Sequence, residues 1–97
     1  MPKVYIIGGF TPIKALTGSS VSMKCKGTGQ PMPTLEWMKV DGNLSNSSHV
    51  SDGWLKIENV SKSDSGRYRC IATNFVGSVI SEARLIVEGN LDIKCLN

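Results

Sequence analysis

Two cysteines and a tryptophan constrain this chain more than any other feature. Cys25 and Trp37 stand twelve residues apart, and Cys70 lies forty-five beyond Cys25. In a sandwich of two sheets, that spacing puts one cysteine in mid-strand on each sheet, both pointing inward. A tryptophan on the next strand then packs against the sulfurs. A bond between the two would tie the sheets together and close a long loop, worth roughly 4 kcal/mol in the chain-entropy model. That is a large part of the stability of a small domain. The third cysteine, Cys95, is left over: an odd count in an oxidising compartment means one pair and a remainder.

The rest of the chain is written in strands. Val21-Ser22-Met23-Lys24-Cys25 alternates apolar and polar, the period of a half-buried strand. Leu35-Glu36-Trp37, Leu55-Lys56-Ile57, Tyr68 to Ala72 and Ala83 to Val87 alternate in the same way. Turn-rich pieces separate them: Thr17 to Ser19, Gly27 to Pro33, Asp41 to Asn43, Ser61 to Gly66 and Asn74 to Gly77. No helical period exceeds one turn, although Lys62 to Ser65 can form a single tight one. Val4 to Ile7 reads as a strand, followed by Gly8-Gly9 and Pro12. Glycine and proline in an edge strand mark a break, so a first strand split between the two sheets is expected.

A second signature surrounds the last paired strand. Tyr68 stands two residues before Cys70, where its hydroxyl can bond back to the backbone a few residues upstream. Gly66 lets the chain turn sharply into the strand, and Asp64 can hold the preceding turn through its own carboxylate. The stretch Leu55-x-Ile57-x-Asn59-Val60-x-x-x-Asp64-x-Gly66-x-Tyr68-x-Cys70-x-Ala72-x-Asn74-x-x-Gly77 resembles the corresponding part of I-set immunoglobulin domains. Gly29-Gln30-Pro31-Met32-Pro33 before Trp37 is similar to a loop of the same set, as is the approach Gly18-Ser19-Ser20-Val21-x-Met23-x-Cys25. The resemblance covers roughly residues 3 to 88. It implies an all-β, two-sheet antiparallel Greek-key sandwich with one inter-sheet disulfide, Cys25 to Cys70. Residues 1–88 would form the domain, and residues 89–97 a tail or interdomain linker.

Two departures from the family pattern stand out. Met38-Lys39-Val40-Asp41-Gly42 carries one residue more than usual after the tryptophan. Ser47 to Ser51 offers no arginine to pair with Asp64, and His49 is the only nearby candidate for that partnership.

Composition excludes several classes of function. The net charge of +3 is too mild for a nucleic-acid footprint, which needs a clustered basic stripe. Lys24 and Lys26 share one strand face and can meet an acidic glycan, though two solvated lysines are the ordinary reading. No Cys/His cluster offers four zinc ligands, since His49 is the sole histidine. No nucleophile elbow, phosphate loop or acid–base pair is present, so neither catalysis nor a cofactor is expected. Apolar runs stop at four residues against the roughly 20 that span a bilayer. The chain is therefore expected to be part of a longer parent that carries any secretion signal or anchor.

Alternation also assigns faces. Val21, Met23, Cys25, Leu35, Trp37, Leu55, Ile57, Tyr68, Cys70, Ala72, Leu85 and Val87 should point inward. Glu36, Met38, Arg69, Ile71 and Thr73 should then form an outer face, extended by Ile80, Glu82 and Arg84. An apolar patch rimmed by charge marks a candidate protein contact, whereas isolated exposed apolar residues need no explanation. Val4, Ile6, Ile7 and Phe10 are expected in edge-strand packing or against a preceding domain. Three glycosylation acceptor patterns begin at Asn43, Asn46 and Asn59, where chance predicts about one. With the implied disulfide they favour an extracellular home. Cys95 is open to pairing with another chain or domain, to remaining a free thiol, or to being a feature of the fragment.

The resemblance implies a non-catalytic binding or adhesion module of a cell-surface receptor, adhesion or matrix protein. It would act through strand faces and edges on a protein partner or on itself. The rival is a load-bearing spacer in an intracellular filament protein of the titin kind, with reduced thiols and unmodified asparagines.

Overall fold

Period-two alternation is realised as eight strands among the described residues. The computed structural model describes residues 2–6 and 12–89. In chain order the strands are β1 (Lys3–Ile6), β2 (Ile13–Leu16), β3 (Val21–Thr28), β4 (Thr34–Lys39), β5 (Ser48–Ser51), β6 (Trp54–Ile57), β7 (Gly66–Asn74) and β8 (Gly77–Glu88). One 3-10 turn, Lys62–Asp64, joins β6 to β7.

The strands form two sheets, in the orders β1-β3-β6-β5 and β2-β8-β7-β4. The expected split of the first strand is present: β1 lies antiparallel to β3 on one sheet, and β2 lies parallel to β8 on the other. That parallel pair is the one departure from antiparallel pairing among the described residues. Ile7 and Phe10 fall outside the described residues. Ile6 is buried in the core and Val4 packs partly against it, so this segment serves the domain's own interior.

Inward positions from both sheets meet between them. Leu55 and Ile57 on β6 face Cys70, Ala72 and Leu85 on the other sheet, and all five are fully enclosed. Full burial of such an aliphatic side chain stabilises the fold by roughly 1.5–3 kcal/mol. Every expected core position is buried except Leu35, which is half-buried. Its side chain lies over Gly27 and Gly53, which carry no side chain to enclose it. Ile6, Val60 and Ala83 join the core as well.

The strand directions give the sandwich two distinct ends. One end gathers Pro2, the β3–β4 loop and the β7–β8 turn. There the Asn74 side-chain amide donates to the Pro31 carbonyl at 2.9 Å. The other end gathers the β2–β3 turn, the β6–β7 connection and the β4–β5 loop. There the Gly18 amide donates to the Val60 carbonyl at 2.8 Å, and the Val60 amide to the Ser19 carbonyl at 2.9 Å.

Candidate functional site

The interior that shapes every surface begins at the disulfide. Cys25 on β3 and Cys70 on β7 are bonded across the two sheets, with Cα atoms 6.4 Å apart. Trp37 lies directly across the ladder from Cys70 and is buried. Its indole nitrogen donates to the Gly53 carbonyl at 3.0 Å. The same carbonyl accepts the Cys25 amide at 2.8 Å. Gly53 has φ +83°, and a Cβ there would stand 2.5 Å from the Cys25 carbonyl oxygen. A glycine is therefore required where the β5–β6 turn meets the core.

The tyrosine signature is also realised. The Tyr68 hydroxyl donates to the Asp64 carbonyl at 2.5 Å. Burial pushes its pKa up to about 12, with the neighbouring Asp64 carboxylate adding to the rise. Gly66 enters β7 at φ +148°, a conformation that side chains disfavour. Asp64 is buried, and its carboxylate accepts the Ser61 amide at 2.9 Å. It holds its own turn as expected.

The partnership between His49 and Asp64 is not formed. His49 is exposed on β5 opposite Lys56, while the Asp64 carboxylate is held by Ser61. Lys39 reaches this corner without pairing to the carboxylate in an ion pair. Its ammonium donates to the Ser63 carbonyl at 2.5 Å and lies 5.9 Å from the centre of the Tyr68 ring.

The outer face of the β2-β8-β7-β4 sheet brings the candidate contact residues together in rows. Register places Glu36 beside Ile71 and Ile71 beside Ile80. The next row is Met38, Arg69 and Glu82, and the row on the other side is Thr34, Thr73 and Ser78. The Arg69 guanidinium is paired with the Glu82 carboxylate, donating from Nε at 2.9 Å and also from a terminal nitrogen. The Thr73 and Ser78 hydroxyls share a hydrogen bond at 2.9 Å. Met38 is 40% exposed and Ile80 52%, whereas Ile71 is half-buried between its neighbours. The apolar weight of the face therefore lies at Met38, beside Arg69 in the row of the ion pair, and at Ile80, one row away beside Glu82 on β8. The face thus presents apolar area, a pre-formed charge pair and hydroxyls.

The opposite sheet carries Lys24 and Lys26 on its outer face. The Lys24 ammonium donates to the Asp52 carbonyl at 2.6 Å and lies 5.3 Å from the centre of the Trp54 ring. Trp54 is 47% exposed. It was legible from alternation, because inward Leu55 and Ile57 force Trp54 and Lys56 outward.

Asn43 and Asn46 are exposed in the β4–β5 loop, and Asn59 is exposed just after β6 with φ +51°. All three lie toward the same end of the sandwich, away from the β7–β8 turn. Cys95 lies outside the described residues. Among the described residues no helix is long and apolar enough to cross a membrane, and no cluster of metal-ligating side chains is found.

Comparison with known proteins agrees with this geometry. The family model described as the immunoglobulin I-set domain matches residues 4–87. The human neural cell adhesion molecule L1-like protein is 37% identical over 84 residues, covering 84% of this chain and 7% of the relative. The chain thus spans a small fraction of that protein. Among solved structures, the tandem Ig repeats of Dlar superpose with a TM-score of 0.74 at 31% identity, covering 81% of this chain and 43% of theirs. A chain of the titin M10–obscurin like 1 Ig complex gives 0.72 at 27% identity, covering 81% of this chain and 87% of its own. The chain belongs to the immunoglobulin I-set family.

Proposed function

We propose that this domain is a non-catalytic protein-binding and adhesion module in the extracellular part of a cell-surface, adhesion or matrix protein. It would act through the outer face of β4, β7 and β8, with Glu36, Met38, Arg69, Ile71 and Thr73 as contact residues and Ile80 extending the patch. The observation that carries this reading is the exposure of Met38, in the row of the Arg69–Glu82 ion pair, and of Ile80, in the next row. A sheet face with no such function would more often present polar side chains at both positions. The likeness to a named neural cell adhesion molecule supports the adhesion reading, and the inter-sheet disulfide supports an oxidising compartment. Self-association through the same face is one form the contact can take, because the face carries both members of a charge pair and is self-complementary in sign.

The test is sedimentation velocity over a concentration series in a Cys95→Ser background, together with binding of a multivalent form of the chain to cells. Met38→Asp and Ile71→Asp should weaken either self-association or cell binding about tenfold or more. Binding that survives both changes intact removes this face from consideration.

A load-bearing spacer in an intracellular filament is the second reading, favoured by the likeness to the titin M10 complex. Thiol titration of protein from its native source separates the two. Protected Cys25 and Cys70 support the extracellular module, and free thiols at both support the filament.

A further inference from the structure

The geometry points to a binding site for a sulfated polysaccharide on the outer face of β1, β3 and β6, on the sheet opposite the protein-contact face. Four lysines lie there on one diagonal. Lys3 pairs with Thr28, two residues from Lys26. Lys24 follows two residues further along β3, and Lys56 pairs with Ser22, two residues beyond Lys24. Each step is therefore roughly 7 Å along the strand axis, giving a row of cations about 20 Å long. Lys3, Lys26 and Lys56 are exposed. The carboxylates near the row are Glu58, 3.7 Å from the Lys56 ammonium in an exposed pair, and Asp52 in the β5–β6 turn. Exposed pairs of that kind are weak and screened, so the row keeps a positive excess.

A flat apolar surface stands in the middle of this row. Trp54 faces Lys24 across the ladder, and its ring lies under the Lys24 ammonium. A hydrogen bond to the Asp52 carbonyl fixes that ammonium in place. The ammonium covers part of the indole, and the rest of that half-exposed ring suits a pyranose carrying an anionic group: the sugar packs next to the ammonium and its sulfate meets the charge. Evenly spaced lysines on either side then meet the charges of successive sugars. Single-stranded nucleic acid would share the charge match and is held by successive aromatic platforms; Tyr5 pairs with Lys26 in the register, so the comparison with polythymidylate below separates the two occupants.

The experiment is titration of the chain with heparin, followed by salt dependence and by tryptophan fluorescence. Lys3→Ser, Lys26→Ser and Lys56→Ser together should weaken binding about tenfold or more and flatten the salt slope, because fewer counterions are released. The control carries the same loss of charge on the opposite sheet: Lys14→Ser, Arg67→Ser and Arg84→Ser should change affinity less than about threefold. Heparin should quench the fluorescence of exposed Trp54, and Trp54→Phe should abolish the quenching. Lys26→Glu alone, at an exposed side chain, gives the same comparison if the triple variant fails to fold.

Equal losses from the two triple variants would overturn the site and leave only net charge. Undiminished binding of desulfated heparin, or tighter binding of polythymidylate or of phosphatidylserine vesicles, would overturn the sulfated polysaccharide as occupant.

Discussion

The Trp37 indole donates across the sandwich to the Gly53 carbonyl at 3.0 Å, so one backbone oxygen joins β4 to the turn between β5 and β6. That oxygen also accepts the Cys25 amide. The junction has no room for a methyl group, and the backbone of Gly53 lies in the left-handed region. Gly53→Ala should therefore cost at least about 2 kcal/mol in urea unfolding, through strain and the clash with the Cys25 carbonyl. A smaller loss would mean that the turn moves freely away from the core. Trp37→Phe should cost about 2 kcal/mol, combining a lost hydrogen bond with a partial cavity.

Tyr68 makes stability depend on alkaline pH. Its folded pKa is raised to about 12 from an ordinary 10. Below pH 10 the phenol is neutral in both states, and the contribution is fully present. Between pH 10 and 12 the unfolded chain loses the proton while the folded one retains it, so stability falls as pH rises. Chemical unfolding at pH 9 and pH 11.5 should show that loss in the parent chain. Tyr68→Phe should show less of it, and should start about 1 kcal/mol lower at neutral pH because the bond to the Asp64 carbonyl is gone.

Reduction of the Cys25–Cys70 bond should lower stability by roughly 4 kcal/mol, since 45 residues separate the two cysteines. Both are buried, so reductant should act slowly on the native chain and quickly once denaturant opens it. Equal rates with and without denaturant would show that the sheets separate locally under native conditions.

The Arg69–Glu82 pair is about one-third exposed at each side chain. A double-mutant cycle with Arg69→Ala and Glu82→Ala should give a coupling below about 1 kcal/mol, falling with added salt. The pair can then be altered in binding assays without unfolding the domain. A coupling several times larger would make it a structural element.

Secretory expression should place N-linked sugar on one or more of Asn43, Asn46 and Asn59, all exposed. Glycosidase should then shift the electrophoretic mobility, and the three asparagine-to-glutamine changes together should remove the shift. Lys56 stands three residues before Asn59 and toward the same end, so sugar there should weaken heparin binding, whereas the rows of Ile71 and Thr73, nearer the β7–β8 turn, should bind a partner equally well with and without it. A glycan-dependent change in partner binding would contradict that arrangement.

Most of the interior was legible because alternation is a local property. Val21, Met23 and Cys25 point inward as their spacing requires, and so do Leu55 and Ile57. Val60 escaped because it sits in the connection after β6, where no alternation runs, yet backbone bonds to Gly18 and Ser19 fix it in the core. Ala83 continues the inward parity of Leu85 and Val87 but is too small to announce itself. The corner at Asp64 was half legible. Its bond within the turn is local, whereas Lys39, which reaches the same turn through the Ser63 carbonyl, comes from a distant strand. His49 stands in the segment where the family pattern would put an arginine against Asp64, but outward parity carries it away from the turn. The tie from Trp37 to Gly53 links a side chain to a backbone oxygen 16 residues on, and no periodicity encodes such a contact. The same holds for the lysine diagonal, which exists only once three strands are set in register.

The parallel pairing of β2 with β8 has a mechanical consequence. Both strands run from the β7–β8 turn end toward the opposite end. Tension drawn through the chain therefore pulls β2 and β8 in opposite senses along their shared axis. The backbone bonds between them resist in shear and must rupture together, instead of opening one after another like a zip. A domain built this way yields late and abruptly when stretched, whichever compartment its parent occupies.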